Sequence, residues 1–114
     1  MAYLLTALIA ALIALLTLTP QMPGPPGFPG VDKLAHSVAF LLLVFPISVT
    51  RPRKWRIVGL WAMCYGALIE IVQPHVGRSA EWADLLADGV GVAIGIALAL
   101  AARRLVWTSG DVMR

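Results

Sequence analysis

The chain has 114 residues, of which 60% are apolar and only 13% charged, and its mean hydropathy is +0.84. Soluble domains carry about 25% charged residues, so this composition excludes an ordinary soluble fold and places the chain in the membrane class. The net charge of +3 does not point to nucleic acid, because the basic residues sit in short clusters beside apolar runs, as at the flanks of membrane helices.

In chain order, Ala2 to Thr19 is nearly unbroken Ala, Leu, Ile and Thr. A helix of this length spans roughly 27 Å. No Lys or Arg precedes Thr19 and no clear small-x-small cleavage site precedes Pro20, so a retained helix is expected in preference to a signal peptide. Pro20 to Gly30 holds five of the eight prolines and three of the ten glycines, which no helix or sheet tolerates; it reads as an extended loop. Val31 to Thr50 is the second span. Asp32 suits its N-terminus, where negative charge meets the helix dipole, and Asp32 and His36 share a face.

Arg51 to Arg56 reads RPRKWR, four basic residues in six. Beside two apolar spans it marks a short loop held in the cytoplasm, with Trp55 as an interfacial anchor. The third span, 57 to 73, carries Gly59, Ala62, Gly66 and Ala67, which allow close helix approach, and Glu70 and Gln73 in its last turn before Pro74. The lone Cys64 excludes an intrachain disulfide framework and a cysteine-rich metal site, and reads as a buried small hydrophobe. A short polar connection from Pro74 to Trp82 leads to a fourth span, 83 to 102. Gly91 and Gly95 there form a GxxxG packing signal, and Arg103 and Arg104 close the span. The tail is expected to rest at the interface through Trp107. The two basic clusters are two helices apart and agree in sign. They predict an all-α bundle of four transmembrane helices with cytoplasmic N and C termini, its Pro-rich loop and 74–82 connection outside.

On that topology the polar residues fall into one layer. His36 lies about 6 Å inside Asp32, Glu70 about 4–5 Å inside Gln73, and Asp88 about 6 Å inside Asp84. Glu81, Asp84 and Asp88 share a face. Four of the six acidic residues lie between Leu68 and Asp88. Exposing such groups to lipid is costly, so they are expected to face one another in a polar pocket open to the outside, with Arg78, Lys33 or His75 as counter-charges. Capping or solvation explains Asp32, Glu81 and Asp84 equally well; Glu70 and Asp88 lie deeper, where a functional or buried-network role is the favoured reading. His75 reads as a solvated loop residue. Zinc or manganese could be held by His36, Glu70, Asp84 and Asp88, but there is no HExxH and a single deep histidine, so no metal and no cofactor are expected. Ser37 and Ser79 lack the GxSxG setting of a hydrolase nucleophile.

DKLAHSVAF and GALIEIVQPHVGRSAEWADLLADGVGVAIG resemble the VanZ-like family of small bacterial membrane proteins. The matching positions are Asp32, Lys33, His36, Phe40, Glu70, Gln73, Arg78, Asp84, Asp88, Gly91 and Gly95, and the resemblance covers Val31 to Ala102. At Asp88 many members have Asn, so this chain adds a charge there. The resemblance implies a single multi-pass domain over 1–114 in the bacterial cytoplasmic (inner) membrane. It also implies an envelope-associated role, and a link to resistance to glycopeptide antibiotics of the teicoplanin type.

Three functions compete. The first is binding of an envelope component or amphiphile through Asp32, Lys33, His36, Glu70, Gln73, Arg78, Asp84 and Asp88. Arg78 suits a phosphate or carboxylate, and the carboxylates suit amines or hydroxyls. The second is a membrane enzyme acting on a lipid-like substrate, with His36 as acid or base and Glu70 and Asp88 orienting it. The third, proton-coupled transport, fits poorly, since the polar groups stop at the outer side and no inverted repeat is visible. Expected partners are the lipid bilayer, an envelope lipid or glycopeptide ligand, and a second copy of the chain; nucleic acid is not expected.

Overall fold

The computed structural model describes residues 1–19, 30–78 and 80–112, with side chains as far as Val106. The Pro-rich segment from Pro20 to Pro29, Ser79 and the Trp107 side chain lie outside the described residues. The chain is all-helical, with no strand among the described residues: α1 (Ala2–Leu18), α2 (Val31–Thr50), α3 (Trp55–Val72) and α4 (Trp82–Val112), with 3-10 turns at Pro52–Lys54 and Gln73–Val76. Three segments, Val31–Thr50, Pro52–Val76 and Trp82–Val106, are long and apolar enough to cross a membrane; α1 is apolar but shorter, at 17 residues.

The distribution of side chains is inverted relative to a soluble fold. Leu34, Val38 and Leu42 on α2, and Leu86, Val90, Ile94 and Leu98 on α4, form exposed stripes at four-residue spacing, while Glu70, Gln73, Asp84 and Asp88 are buried. Outward apolar stripes around inward polar groups suit a lipid solvent and no aqueous one. Cys64, expected to be buried, is instead exposed on α3, as a small apolar side chain on a lipid-facing surface can be.

Helices α2 and α4 are parallel neighbours in a nearly constant register. Lys33 meets Asp84, His36 meets Asp88, and Arg103 Nη1 donates to the Val49 carbonyl, at separations of 51, 52 and 54 residues. Glycine makes this seam. A Cβ at Gly91 would lie 2.1 Å from the Ser37 carbonyl oxygen, and one at Gly95 would lie 2.7 Å from that of Leu41. Where water gives no drive to pair helices, such backbone contact supplies the dispersion energy. Ser37 Oγ adds a hydrogen bond to the Ala87 carbonyl at 2.8 Å.

Helix α3 returns against both, around a core of Phe40, Leu43, Val44, Val58, Ala62, Ile69 and Val92. Polar contacts hold α1 along its length: Thr6 Oγ1 donates to the Leu43 carbonyl at 3.4 Å, Tyr65 donates to the Ala10 carbonyl, and Gln73 Nε2 donates to that of Thr17 at 3.2 Å. Between α1 and α3 a crevice of about 530 Å³ is lined by Tyr3, Thr6, Ile57 and Trp61 among others.

The two ends of the bundle differ in charge. At one end Lys54 Nζ meets Tyr3 Oη at 3.0 Å, Arg51 lies over the Tyr3 ring, and Arg103 caps α2 through the carbonyls of Val49 and Thr50. At the other are Asp32, Lys33, Glu70, Glu81, Asp84 and Asp88. The fourth helix does not stop near Ala102 but continues to Val112. Arginine does not break helices, and nothing between Ala102 and Ser109 does either.

Candidate functional site

The site is built where the N-termini of α2 and α4 meet the C-terminus of α3. Asp32 lies in the first turn of α2 and Asp84 in that of α4, where the helix dipoles favour negative charge. Glu70 lies two residues before the end of α3, where the dipole has the opposite sign. It is held instead by the chain that follows: its Oε2 accepts the backbone N–H of Glu81 at 3.0 Å, so it caps α4 from another helix.

Two clusters share this end. In the outer one Lys33 Nζ lies 2.5 Å from Glu81 Oε2, 2.5 Å from Asp84 Oδ1 and 3.0 Å from Asp32 Oδ2. One ammonium uses its three donors on three carboxylates. The inner cluster joins His36, Glu70 and Asp88, one from each helix, with a nitrogen or oxygen of each within 4.8 Å of the others. His36 Nδ1 is 2.8 Å from Asp88 Oδ1, and its Nε2 is 3.8 Å from Asp84 Oδ2. Asp84 therefore links the clusters, one oxygen on Lys33 and the other toward His36. Asp88 is almost fully enclosed, at 1% exposure, and Glu70 is 7% exposed. Glu70 Oε1 and Gln73 Oε1 are buried without a hydrogen-bond partner among the described residues.

The residues named from the sequence divide accordingly. Asp32, Lys33, His36, Glu70, Asp84 and Asp88 come together. Gln73 sits on the α1 side, bonded to the Thr17 carbonyl. Arg78 stands apart from the acids among the described contacts: its Nη1 reaches the Thr19 carbonyl at 3.5 Å. His75 is exposed in the turn. Sequence reasoning missed the role of Gly66. A Cβ there would lie 2.8 Å from Asp88 Oδ2 and 3.3 Å from the Phe40 ring, so the bare glycine makes the space that the carboxylate fills. Its small size was a visible signal; the group filling its space was not. Beside Glu70 a pocket of about 180 Å³ opens between Ala67, Ile71, Ala80, Glu81 and Trp82.

Residues 3–104 match the family described as VanZ/LLP1. The chain belongs to the VanZ/LLP1 family. The match takes in all of α2 and α3, nearly all of α1, and α4 to Arg104, including every residue of both clusters. No curated protein matches, and no solved structure matches. The family and the three long apolar helices fit a membrane protein.

Proposed function

We propose that this VanZ/LLP1 protein is a single four-span domain of the bacterial inner membrane that binds an envelope amphiphile through the polar cluster at its outer end. The observation carrying this reading is the convergence of Lys33, His36, Glu70, Asp84 and Asp88 beside the pocket at Glu70. Carboxylates in that number suit a head group bearing amines or hydroxyls, and Trp82 and Ile71 suit the first methylenes of its chain. Arg78, at the same end, uses one of its five donors on the Thr19 carbonyl and suits a phosphate with the rest. The charge asymmetry supports the orientation: the end with Arg51, Arg53, Lys54, Arg56, Arg103 and Arg104 is cytoplasmic, with both termini.

Orientation is tested in a Cys64→Ala background. His75→Cys reacts with an impermeant maleimide in intact cells and Lys54→Cys only after permeabilisation; the reverse pattern refutes the topology. Function is tested by titrating purified protein in nanodiscs with lipid-linked envelope intermediates and with a teicoplanin-type glycopeptide. Saturable binding to one of them, weakened by Glu70→Gln, supports the reading; no saturable binding to either ends it.

The 2.8 Å contact between His36 and Asp88 favours a second reading, acid–base chemistry on a lipid-like substrate, with Asp88 orienting the imidazole. Turnover of envelope lipids that survives His36→Ala would exclude it.

A further inference from the structure

We infer that His36, Glu70 and Asp88 form a binding site for a first-row divalent cation, with Asp84 orienting the histidine. The sequence pattern alone predicts no metal; the fold supplies what spacing along the chain does not. The inference is independent of amphiphile binding, and zinc binding is measured with no amphiphile added.

The comparison of the two clusters makes the case. The outer carboxylates, Asp32, Glu81 and Asp84, already enclose a cation, the Lys33 ammonium. The inner carboxylates, Glu70 and Asp88, are more deeply buried, and among the described contacts Lys33 reaches neither. Buried carboxylates side by side are unfavourable unless a proton or a positive charge compensates them. Glu70 adds a sharper point. It is 93% enclosed, its Oε2 is bound to the Glu81 N–H, and its Oε1 has no hydrogen-bond partner among the described residues.

The geometry fits a metal. The three donor atoms lie within 4.8 Å of one another. Bonds of about 2.0–2.2 Å put tetrahedral ligands about 3.4 Å apart, so closure needs a contraction of at most about 1.4 Å, shared by two carboxylate ends and a ring. The donors come from three helices, which fixes them better than a loop does. Gly66 leaves the space that the Asp88 carboxylate occupies. Asp84 Oδ2 lies 3.8 Å from His36 Nε2, beyond hydrogen-bond distance, on the side from which a carboxylate would orient a metal-bound imidazole after closing by about 1 Å. One nitrogen and two oxygens suit zinc or manganese; calcium and magnesium prefer oxygen alone. Three protein ligands leave a coordination position for a further group, and Glu70 borders the pocket from which it would come.

The test uses the full chain in detergent, stripped with chelator and titrated with Co(II) and Zn(II). One equivalent of Co(II) is expected to bind with visible absorption and to be displaced by zinc. His36→Ala, Glu70→Gln and Asp88→Asn should each weaken zinc at least about 100-fold, and Asp84→Asn about 10–100-fold. His75→Ala should leave it unchanged. Zinc should also raise the unfolding temperature of the native chain and not that of the three ligand variants. X-ray absorption on the native chain needs no variant to fold: it should show nitrogen and oxygen ligands including one imidazole. Failure of the native chain to bind one equivalent, a sulfur ligand, or binding lost in His75→Ala and kept in His36→Ala would overturn the site.

Discussion

Gly91→Ala adds one methyl group at a position with no polar chemistry, and the structure makes it the most informative change in the bundle. The new Cβ would meet the Ser37 carbonyl oxygen at 2.1 Å, its carbonyl carbon at 2.8 Å and its Cα at 2.9 Å. All three are backbone atoms, so no side chain can turn aside. Ordinary contact begins near 3.4 Å, so α2 and α4 must part by about 1.3 Å. That separation breaks the 2.8 Å bond from Ser37 Oγ to the Ala87 carbonyl and stretches the 2.8 Å contact between His36 and Asp88 beyond hydrogen-bond range. Overpacking costs about 1–3 kcal/mol and the lost hydrogen bond about 1 kcal/mol. Replacing Gly by Ala in a helix returns up to about 1 kcal/mol through propensity. Gly89→Ala is the control, since its Cβ meets only the flexible Met63 side chain, Cε at 3.5 Å and Sδ at 3.7 Å. It gains the same propensity without the clash. The two variants should therefore differ by about 2–4 kcal/mol, with Gly91→Ala the less stable, in reversible denaturation in mixed micelles. Equal stabilities would refute the close seam, and with it the register that brings His36 to Asp88.

Three further outcomes are expected. Gly66→Ala should destabilise the bundle by about 1–3 kcal/mol and weaken any ligand of the inner cluster, because its methyl group would displace Asp88 or press on the buried Phe40 ring; stability and affinity both equal to the native chain would contradict this packing. Tyr65→Phe keeps the ring stacked on Trp61, at 5.4 Å between centroids, and removes only the bond to the Ala10 carbonyl. It should cost about 0.6–2 kcal/mol, and crosslinking between cysteines placed on α1 and α3 should show α1 loosening first. Lys33→Met leaves Asp32, Glu81 and Asp84 facing one another, so it should lower the unfolding temperature, and adding Asp84→Asn should restore part of the loss; additive losses in that double-mutant cycle would mean that Lys33 and Asp84 do not interact.

What could be read from the sequence was whatever follows from composition and helical period. The apolar runs announce helices, and α2 occupies Val31–Thr50, the range its hydropathy marks. Depth along each helix was also legible, because a fixed rise per residue converts sequence offset into height. That is why His36, Glu70 and Asp88 could be assigned to one layer without a structure. Rotation about each helix axis was harder. Shared faces within α4 follow from the period, but which face meets which neighbour depends on the seam at Gly91 and Gly95. Arg78 lay beyond either argument. It follows Gly77, whose φ of 77° turns the chain, and its side chain is directed by that turn toward Thr19 and not by any periodicity. The extension of α4 past Ala102 was missed for another reason: basic residues mark a membrane boundary, and a boundary for lipid is no boundary for a helix.

The order of events along the seam explains why the charged layer exists at all. Because α2 and α4 are parallel, both present their N-termini to the same end, and both dipoles draw acids there. An antiparallel neighbour would have brought a C-terminus, and with it a preference for cations. Dipoles alone hold Asp32 and Asp84 at the edge. They do not account for Asp88, one turn further in, or for Glu70 at the wrong end of its helix. Asp88 sits where it does because Gly66 leaves room for its carboxylate and His36 reaches it from α2, and Glu70 because the Glu81 N–H holds it. Stability would be served as well by apolar residues at all three positions. On the proposed reading, a chain that keeps His36, Glu70 and Asp88 there, and clears space for one of them with a glycine, is organised around a ligand of that layer, and the double-mutant and zinc experiments address it from opposite sides.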